Sequence, residues 1–414
     1  MSRGDILAGI DIGSSLVRTI ISQKQGEDSK PLILGVGIAP SSGINNGVIV
    51  DIEETINAIN KSKELAEGTA GVPVEHAYIS INGNHIYSQF SKGVVAVSRA
   101  DGEISEEDMN RVINASQAIS VSNNKEIIAV IPCNYTIDGQ EMIKDPVGMN
   151  GVRLEVNALV IEGMSPFIKN LYKCVQRCGV DIDDLVFAPL SASKAVLSKR
   201  QRELGVVVID IGKGTTGVSV FEDGNILHSV VIPVGSGHIT NDIAIGLRVS
   251  IDVAEKIKLE YGTTSSKEAN KKDKINISEI DSTEEGVFTR KYLAEIIEAR
   301  IEEIFTLVDD ELKKIDRSGM LPAGVVITGG GAKMPGMVSI AKEFLRLPAQ
   351  IGFPVELSGI IDRVDNPSFA TAVGLIMWEA DENGVFPSNR GGFRLPQLSG
   401  VGQKIRKIFK TFLP

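Results

Sequence analysis

The sequence predicts an α/β fold of two similar halves closing on a cleft, with a small α+β insert in the first half and a tethered amphipathic helix at the C-terminus. Three observations carry that expectation. A short signal occurs twice, as Ile10-Asp11-Ile12-Gly13-Ser14-Ser15 and as Val208-Ile209-Asp210-Ile211-Gly212-Lys213-Gly214-Thr215-Thr216. Each copy lies at the end of an apolar β-type run and is followed by a meander of further strands. A later apolar run, 324–328, breaks at Gly329-Gly330-Gly331 after a long amphipathic segment.

Taken in order, strands are expected at 6–12, 16–22 and 32–39, then a helix over 55–67 on the spacing of Ile56, Ile59, Leu65 and Ala66, then a strand at 76–81. From Asn82 to about Gly163 the character changes. Short β runs at 94–97, 127–135 and 152–161 surround the acidic helix start Ser105-Glu106-Glu107-Asp108, which reads as an insert. A helix follows at 166–179, then strand, turn and helix over 185–199. The second meander occupies 205–211, 216–221 and 226–234, and a helix opens near Thr240 or Asn241 as N-cap. Residues 263–285 are polar and lysine-rich without an apolar period, so a loop is expected there. Over 290–312, Leu293, Ile296, Ile297, Ile301, Ile304, Phe305 and Val308 fall on one side of a long helix. Meander, helix, meander, helix and a glycine-rich strand end together describe two α/β halves.

A chain of 414 residues, 43% hydrophobic, can bury a large core and should divide into two or more compact units. Its net charge of −10 and its 5% aromatic content argue against a nucleic-acid partner, which calls for a basic face and stacking side chains. The three cysteines, Cys133, Cys174 and Cys178, cannot all pair, and the start lacks a basic-then-apolar leader; a reducing cytoplasm is the expected setting. Cys174 and Cys178 stand at i, i+4 on a helix, a spacing that suits either a metal or core packing, and no second pair accompanies them. His76, His85, His228 and His238 are scattered, with no zinc spacing, and are read as structural or surface residues.

The duplicated signal has a specific chemistry. A glycine just past a strand leaves no Cβ between the backbone and a phosphate, and Ser14, Ser15, Thr215 and Thr216 bring hydroxyl donors to the same place. Aspartates beside phosphates need a divalent cation between them. Mg²⁺ held partly through water suits Asp11 and Asp210. One such copy is an ordinary strand and turn; two with similar flanks describe a nucleotide clamp.

These segments together resemble the actin, hexokinase and heat-shock-chaperone ATPase superfamily. Asp11-Ile12-Gly13 matches its first phosphate loop, Asp210-Ile211-Gly212-Lys213-Gly214-Thr215-Thr216 its second, and Val326-Ile327-Thr328-Gly329-Gly330-Gly331-Ala332 its adenosine loop. Phe369-Ala370-Thr371-Ala372-Val373-Gly374 resembles its second connecting helix, where small residues let two helices cross closely. Further blocks, Leu185-Val186-Phe187-Ala188-Pro189-Leu190-Ser191-Ala192-Ser193, Gly237-His238-Ile239-Thr240-Asn241-Asp242-Ile243-Ala244, Ala254-Glu255-Lys256-Ile257-Lys258 and Leu293-Ala294-Glu295-Ile296-Ile297-Glu298-Ala299-Arg300, resemble the FtsA family of bacterial cell-division proteins over nearly the whole chain.

The resemblance implies subdomain 1A over 1–82, 163–198 and 360–380, the insert 1C over 83–162, 2A over 199–240 and 313–359, and 2B over 241–312. It implies ATP and Mg²⁺ as cofactors, with Gly237 and the three glycines Gly329, Gly330 and Gly331 at the nucleotide. Glu255 and Lys258 would flank ribose and adenine; as i, i+3 neighbours they also suit an ordinary ion pair. Lys213 stands where a glycine is common and is read either as a phosphate contact or as a solvent-facing side chain, while Gly217 replaces a common aspartate. Hydrolysis requires a polar group to orient water. Only Ser191 and Ser193 lie at the corresponding connection, so at most slow ATPase activity is expected.

The resemblance further implies self-association into filaments, the C-terminal peptide of the tubulin-like protein FtsZ bound on 2B, and other division proteins on 1C, at the cytoplasmic face of the membrane. Arg300 is the candidate for the FtsZ peptide, with an ion pair to Glu303 or Glu298 as the alternative. From Asn383 to Pro414 the sequence holds no acidic residue, and residues 381–402 read as a flexible linker. After it, Ile405, Ile408, Phe409, Phe412 and Leu413 fall at helical spacing with Lys404, Arg406, Lys407 and Lys410 largely around the other side. That pattern, over 403–414, suits an interfacial membrane helix too short to span a bilayer, or a terminal helix docked on its own protein. A pilus-assembly scaffold of the PilM type and a small-molecule kinase of the same fold are the competing readings.

Overall fold

The computed structural model describes residues 6–24, 30–118 and 124–378. Two sheets that share a five-strand topology dominate it, the first with one further edge strand. In the first, the strands run in the order Asp181–Phe187, His76–Ile81, Ile6–Ile12, Leu16–Gln23, Leu32–Pro40 and Ser358–Gly359. The second has the order Asn225–Ile232, Thr216–Glu222, Val206–Ile211, Gly324–Thr328 and Ala349–Ile351. Each begins as an antiparallel meander and continues through parallel strands: Ile6–Ile12 pairs parallel with His76–Ile81, and Val206–Ile211 with Gly324–Thr328. The central runs are almost wholly apolar because each sheet is covered on both faces. Separate hydrophobic clusters fill the halves, one built on Ile10, Ile20, Ile79 and Leu190, the other on Ile209, Ile243, Ile297 and Phe305.

The insert is a four-stranded antiparallel sheet, in the order Ile86–Ala96, Arg153–Met164, Lys125–Ile137 and Gln140–Ile143, with the helix Glu106–Ser116 against it. Its strands are longer than the short runs the sequence suggests. The helix opens with a capping box in which Ser105 and Asp108 satisfy each other's backbone amides, and a small core of Ile104, Val112, Leu154 and Val156 holds the unit together. Two helices run between the halves' elements, Ala188–Val196 and Ala370–Ile376, and cross at Gly374, where any Cβ would overlap the Ser191 carbonyl. The small residues of 369–374 therefore serve the close crossing expected of them.

The helix expected to start near Thr240 runs instead over Ser236–Leu247, with Gly235 as N-cap. The His238 ring makes the difference: its Nδ1 accepts from the Gly235 amide at 3.1 Å. The 263–285 segment contains more order than a loop. Lys274–Asn276 pairs with Val287–Thr289, and Ile275, Ile277 and Phe288 are buried beneath. Among the described residues no helix is long and apolar enough to cross a membrane. The linker and the amphipathic segment Lys404, Ile405, Arg406, Lys407, Ile408, Phe409, Lys410, Phe412 and Leu413 lie outside the described residues.

Candidate nucleotide site

The two Asp-Ile-Gly segments form the same turn. Gly13 N donates to the Leu16 carbonyl at 3.2 Å, and Gly212 N donates to the Thr215 carbonyl at 2.9 Å. A Cβ at either glycine would sit 2.9 Å from the Leu16 oxygen or 3.1 Å from the Thr215 oxygen, so both positions favour a residue without one. The glycine amides thus close the turns rather than face the cleft. The amides after them, at Ser14, Ser15, Lys213 and Gly214, have no backbone acceptor among the described residues. Amides in such a turn are of the kind that can donate to an anion.

Both turns place a carboxylate at the strand tip. Asp11 accepts from the Ser80 hydroxyl at 2.9 Å, and the same oxygen of Ser80 accepts from the Ile12 amide. Asp210 accepts from the Thr371 hydroxyl at 3.2 Å, which ties it to the second crossing helix. Burial pushes the Asp11 carboxyl above its usual range, against the opposing pull of Arg18 and the Ser80 hydrogen bond. Asp210 is pushed up to about 6, by burial first and then by the negative charge of Asp11. Keeping two carboxylates buried, one of them raised further by the other's charge, is costly, and a divalent cation would offset that cost. No group of three or more metal-type side chains exists among the described residues.

Arg18 is a further candidate that the motifs alone do not reveal. In the strand register it faces Asp11, whereas the equivalent partner of Asp210 is Gly217. Its Nη1 lies 3.6 Å from Asp11, its guanidinium stacks over Phe369 at 5.3 Å, and its Nε is buried without a hydrogen-bond partner. Burial lowers its pKa while the fields of Asp11 and Asp210 act to raise it. An orphaned donor beside two phosphate-type turns fits an anion. The hairpin register holds the signal: a basic residue directly across from the first carboxylate.

The remaining candidates separate by geometry. The Ser14 hydroxyl accepts from Gly47 N at 3.0 Å, and Ser15 is exposed beside it. Thr215 accepts from the Asn82 amide at 3.1 Å, so residues of the two halves meet across the cleft. The Thr216 hydroxyl points away, donating to Val234 O at 2.7 Å. Lys213 is exposed, and its carbonyl accepts from Gly237 N at 2.8 Å. Gly214, Gly235 and Gly237 all lie where a Cβ would meet Asn46 or the second turn's backbone, so the helix start at Ser236 packs directly on the second phosphate-type turn. That brings a helix N-terminus, with its positive end, to the same place. Ser191 and Ser193 are fully buried and donate to Thr371 O and Pro189 O, at 2.8 and 2.7 Å. Both hydroxyls are committed to helix packing rather than to orienting water.

On the opposite side, Gly329 has φ +84 and its Cβ would fall on an Asp210 oxygen, while Gly331 lies against Ile211. Gly330 is open to solvent. Lys258 is 6% exposed and uses its Nζ on Ser236 O, Thr240 Oγ1 and Glu255 Oε2, at 3.3, 2.8 and 2.7 Å. An ammonium has three protons, so this one is saturated by the helix Ser236–Leu247 and by Glu255. Glu255 is half-exposed and also accepts from Thr240 at 2.5 Å. Arg300 holds Asp242 through Nε and Nη2, at 2.6 and 2.8 Å, and Glu303 through Nη1. Glu298, the other alternative, accepts instead from Ser266 N. The three cysteines are buried and free, with Cys178 donating to Cys174 O.

Two sheets that share a five-strand topology, each presenting a carboxylate turn to one cleft, define an actin-like ATPase fold. Solved structures agree: a chain of the PilM–PilN type IV pilus biogenesis complex superposes with a TM-score of 0.66 at 15% identity, over 90% of this chain and 97% of that one. MreB5 of Spiroplasma citri bound to ADP gives a TM-score of 0.53 at 14% identity, over 91% and 96%. The family model for cell division protein FtsA matches residues 207–374, and that for the SHS2 domain inserted in FtsA matches 83–162. FtsA of Bacillus subtilis is 39% identical over 96% of this chain and 88% of its own length; FtsA of Pseudomonas aeruginosa is 37% identical over 91% and 89%. The chain belongs to the FtsA family of cell-division proteins.

Proposed function

We propose that the protein binds ATP with Mg²⁺ in the cleft, polymerises in its bound form, and tethers FtsZ to the cytoplasmic face of the membrane at the division site. The observation that carries the nucleotide reading is the pair of buried carboxylates, Asp11 and Asp210, at the tips of two equivalent turns. Asp11 and Asp210 would hold the cation through water, and the amides of 14–15 and 213–214, the Ser14 and Thr215 hydroxyls and Arg18 would hold phosphate. Gly237, Glu255, Lys258 and Gly329, Gly330 and Gly331 would border the nucleoside, with Lys258 fixing the helix that carries Gly237. The Mg²⁺ ion would neutralise phosphate charge. Ser191 and Ser193 are spent on packing, so slow turnover and a switch between bound states suit the site better than rapid hydrolysis.

Arg300 is the proposed contact for an acidic FtsZ peptide on 2B, for which it must leave Asp242 or share itself between the two carboxylates. The insert is the proposed surface for other division proteins, and Lys404 to Leu413 the lipid contact, drawn to anionic headgroups at about 1 kcal/mol per basic residue. Liposome co-sedimentation with ATP, comparing the full chain with one ending at Gly400, tests the tether. Lipid binding and filaments only with the full chain are expected; equal binding by both would leave the tail without that role. Failure of the full chain to bring FtsZ down with the liposomes would remove the adaptor role, and Arg300→Glu should abolish recruitment without releasing the chain from lipid.

A further inference from the structure

The geometry points to Asn82 as a positioning residue for the phosphate side of the cleft: it aims the Thr215 hydroxyl as a donor and ties that hydroxyl to the root of the insert. The orientation of the Asn82 amide is set by its neighbours. Gly83 N can only donate, and it does so to Asn82 Oδ1 at 2.8 Å, so the oxygen of the Asn82 side chain is fixed on that side. The nitrogen must then face Thr215 Oγ1, at 3.1 Å. An amide nitrogen only donates, which makes Thr215 the acceptor and leaves its own proton to be given elsewhere. That proton has no acceptor among the described residues, and Thr215 ends the turn whose amides at 213–214 lack a backbone acceptor there. Asn82 stands at the C-terminal end of a parallel strand next to the one that carries Asp11, where α/β sheets bind ligands.

The backbone on either side holds the amide still. Gly83 has φ +130, and a Cβ there would meet the His85 ring at 2.7 Å. Gly47 has φ +77 and lies so close that its Cβ would be 2.7 Å from Gly83 Cα, while its amide donates to Ser14 of the first turn. The hairpin Ile44–Asn45 with Val48–Ile49 therefore wedges the insert's first residue between the two phosphate-type turns. A phosphate taken up by Thr215 would pull on Asn82, and through Gly83 on the insert.

This inference rests on the nucleotide reading above and is separable from it. Binding of ATP with Mg²⁺ to the unmutated full chain, measured by calorimetry, establishes that reading first; no binding would overturn both. Asn82→Ala should then weaken ATP binding about ten-fold, the worth of one hydrogen bond to a charged group. Asn82→Asp keeps the shape but can only accept from Thr215, which turns the proton inward, so the same loss or a larger one is expected. In a Thr215→Val background, Asn82→Ala should cost no further affinity. ATP should also slow amide exchange at residues 83–86 in the unmutated chain and not in Asn82→Ala. Unchanged affinity in both Asn82 variants, or an undiminished loss in the Thr215→Val background, would overturn the assignment.

Discussion

Gly374→Ala and Gly68→Ala are the same chemical change in two helices, and the structure sets their signs apart. At Gly374 a Cβ would overlap the Ser191 carbonyl and also meet the Ser191 hydroxyl at 2.6 Å, and because Cβ has no rotamer the helices Ala188–Val196 and Ala370–Ile376 must separate. Overpacking of this kind costs about 1–3 kcal/mol. The Ser191 bond to Thr371 O would stretch as well, worth about 1 kcal/mol, against a gain of up to about 1 kcal/mol from replacing a helical glycine. The net loss is therefore about 1–3 kcal/mol. Gly68 lies exposed in the helix Ile52–Ala70, and a Cβ added there would find nothing within 4 Å, so only the helix gain of about 1 kcal/mol applies. Thermal unfolding of the two variants beside the unmutated protein measures the difference. A midpoint that moves in the same direction for both would refute the close crossing.

Other predictions test other parts of the molecule. Burial and its neighbour Asp183 raise the Asp184 carboxyl to about 7. Its proton is held more tightly in the folded chain than in the unfolded one, so the stability it contributes is present below about pH 4 and lost as pH rises through about 7. Asp184→Asn should thus be near neutral at pH 4 and stabilising by roughly 2–4 kcal/mol at pH 8, read from denaturant midpoints at the two pH values; an equal effect at both would contradict it. Lys258→Met should cost about 2–3 kcal/mol, since it removes the buried ammonium and leaves its three acceptors, Ser236 O, Thr240 Oγ1 and Glu255 Oε2, without that donor; a change under about 0.5 kcal/mol in unfolding free energy would sink that role. Asp242→Ala should lower stability by about 1 kcal/mol, as a half-buried bidentate pair is lost, and strengthen capture of FtsZ by releasing Arg300. Unchanged capture in a pull-down would count against Arg300 as the partner's contact.

The fold was legible because its signals are local and repeated. Each Asp-Ile-Gly turn follows a buried apolar strand, and a repeat of the turn implies a repeat of the sheet that presents it. The crossing at Gly374 was legible through the resemblance, since 369–374 match the superfamily's second connecting helix, and a Cβ there would overlap the Ser191 carbonyl. Long-range pairings were less visible. The His238 ring caps its helix from inside the first turn, so the Thr and Asn that look like caps lie within the helix. Thr215 and Thr216 are neighbours in sequence, but Thr215 ends the turn and Thr216 opens the strand, so one hydroxyl meets Asn82 and the other donates to Val234 O. Ser191 and Ser193 read as cleft residues until the crossing helices enclose them. Arg18 was within reach, since counting back across the hairpin places it opposite Asp11. The buried Ile275, Ile277 and Phe288 are too few to give a polar segment a visible period.

Two equivalent carboxylate turns closing on one metal–nucleotide complex should give binding in which the metal and both aspartates are interdependent. Calorimetric titration of the full chain with ATP, in Mg²⁺ and then in EDTA, measures that interdependence when repeated on Asp11→Asn and Asp210→Asn. Binding to the unmutated chain should depend on Mg²⁺ and be weakened about ten-fold or more by either substitution, with EDTA making little further difference to the variants. Binding of equal strength in all three proteins, or binding indifferent to Mg²⁺, would contradict a shared metal between the turns.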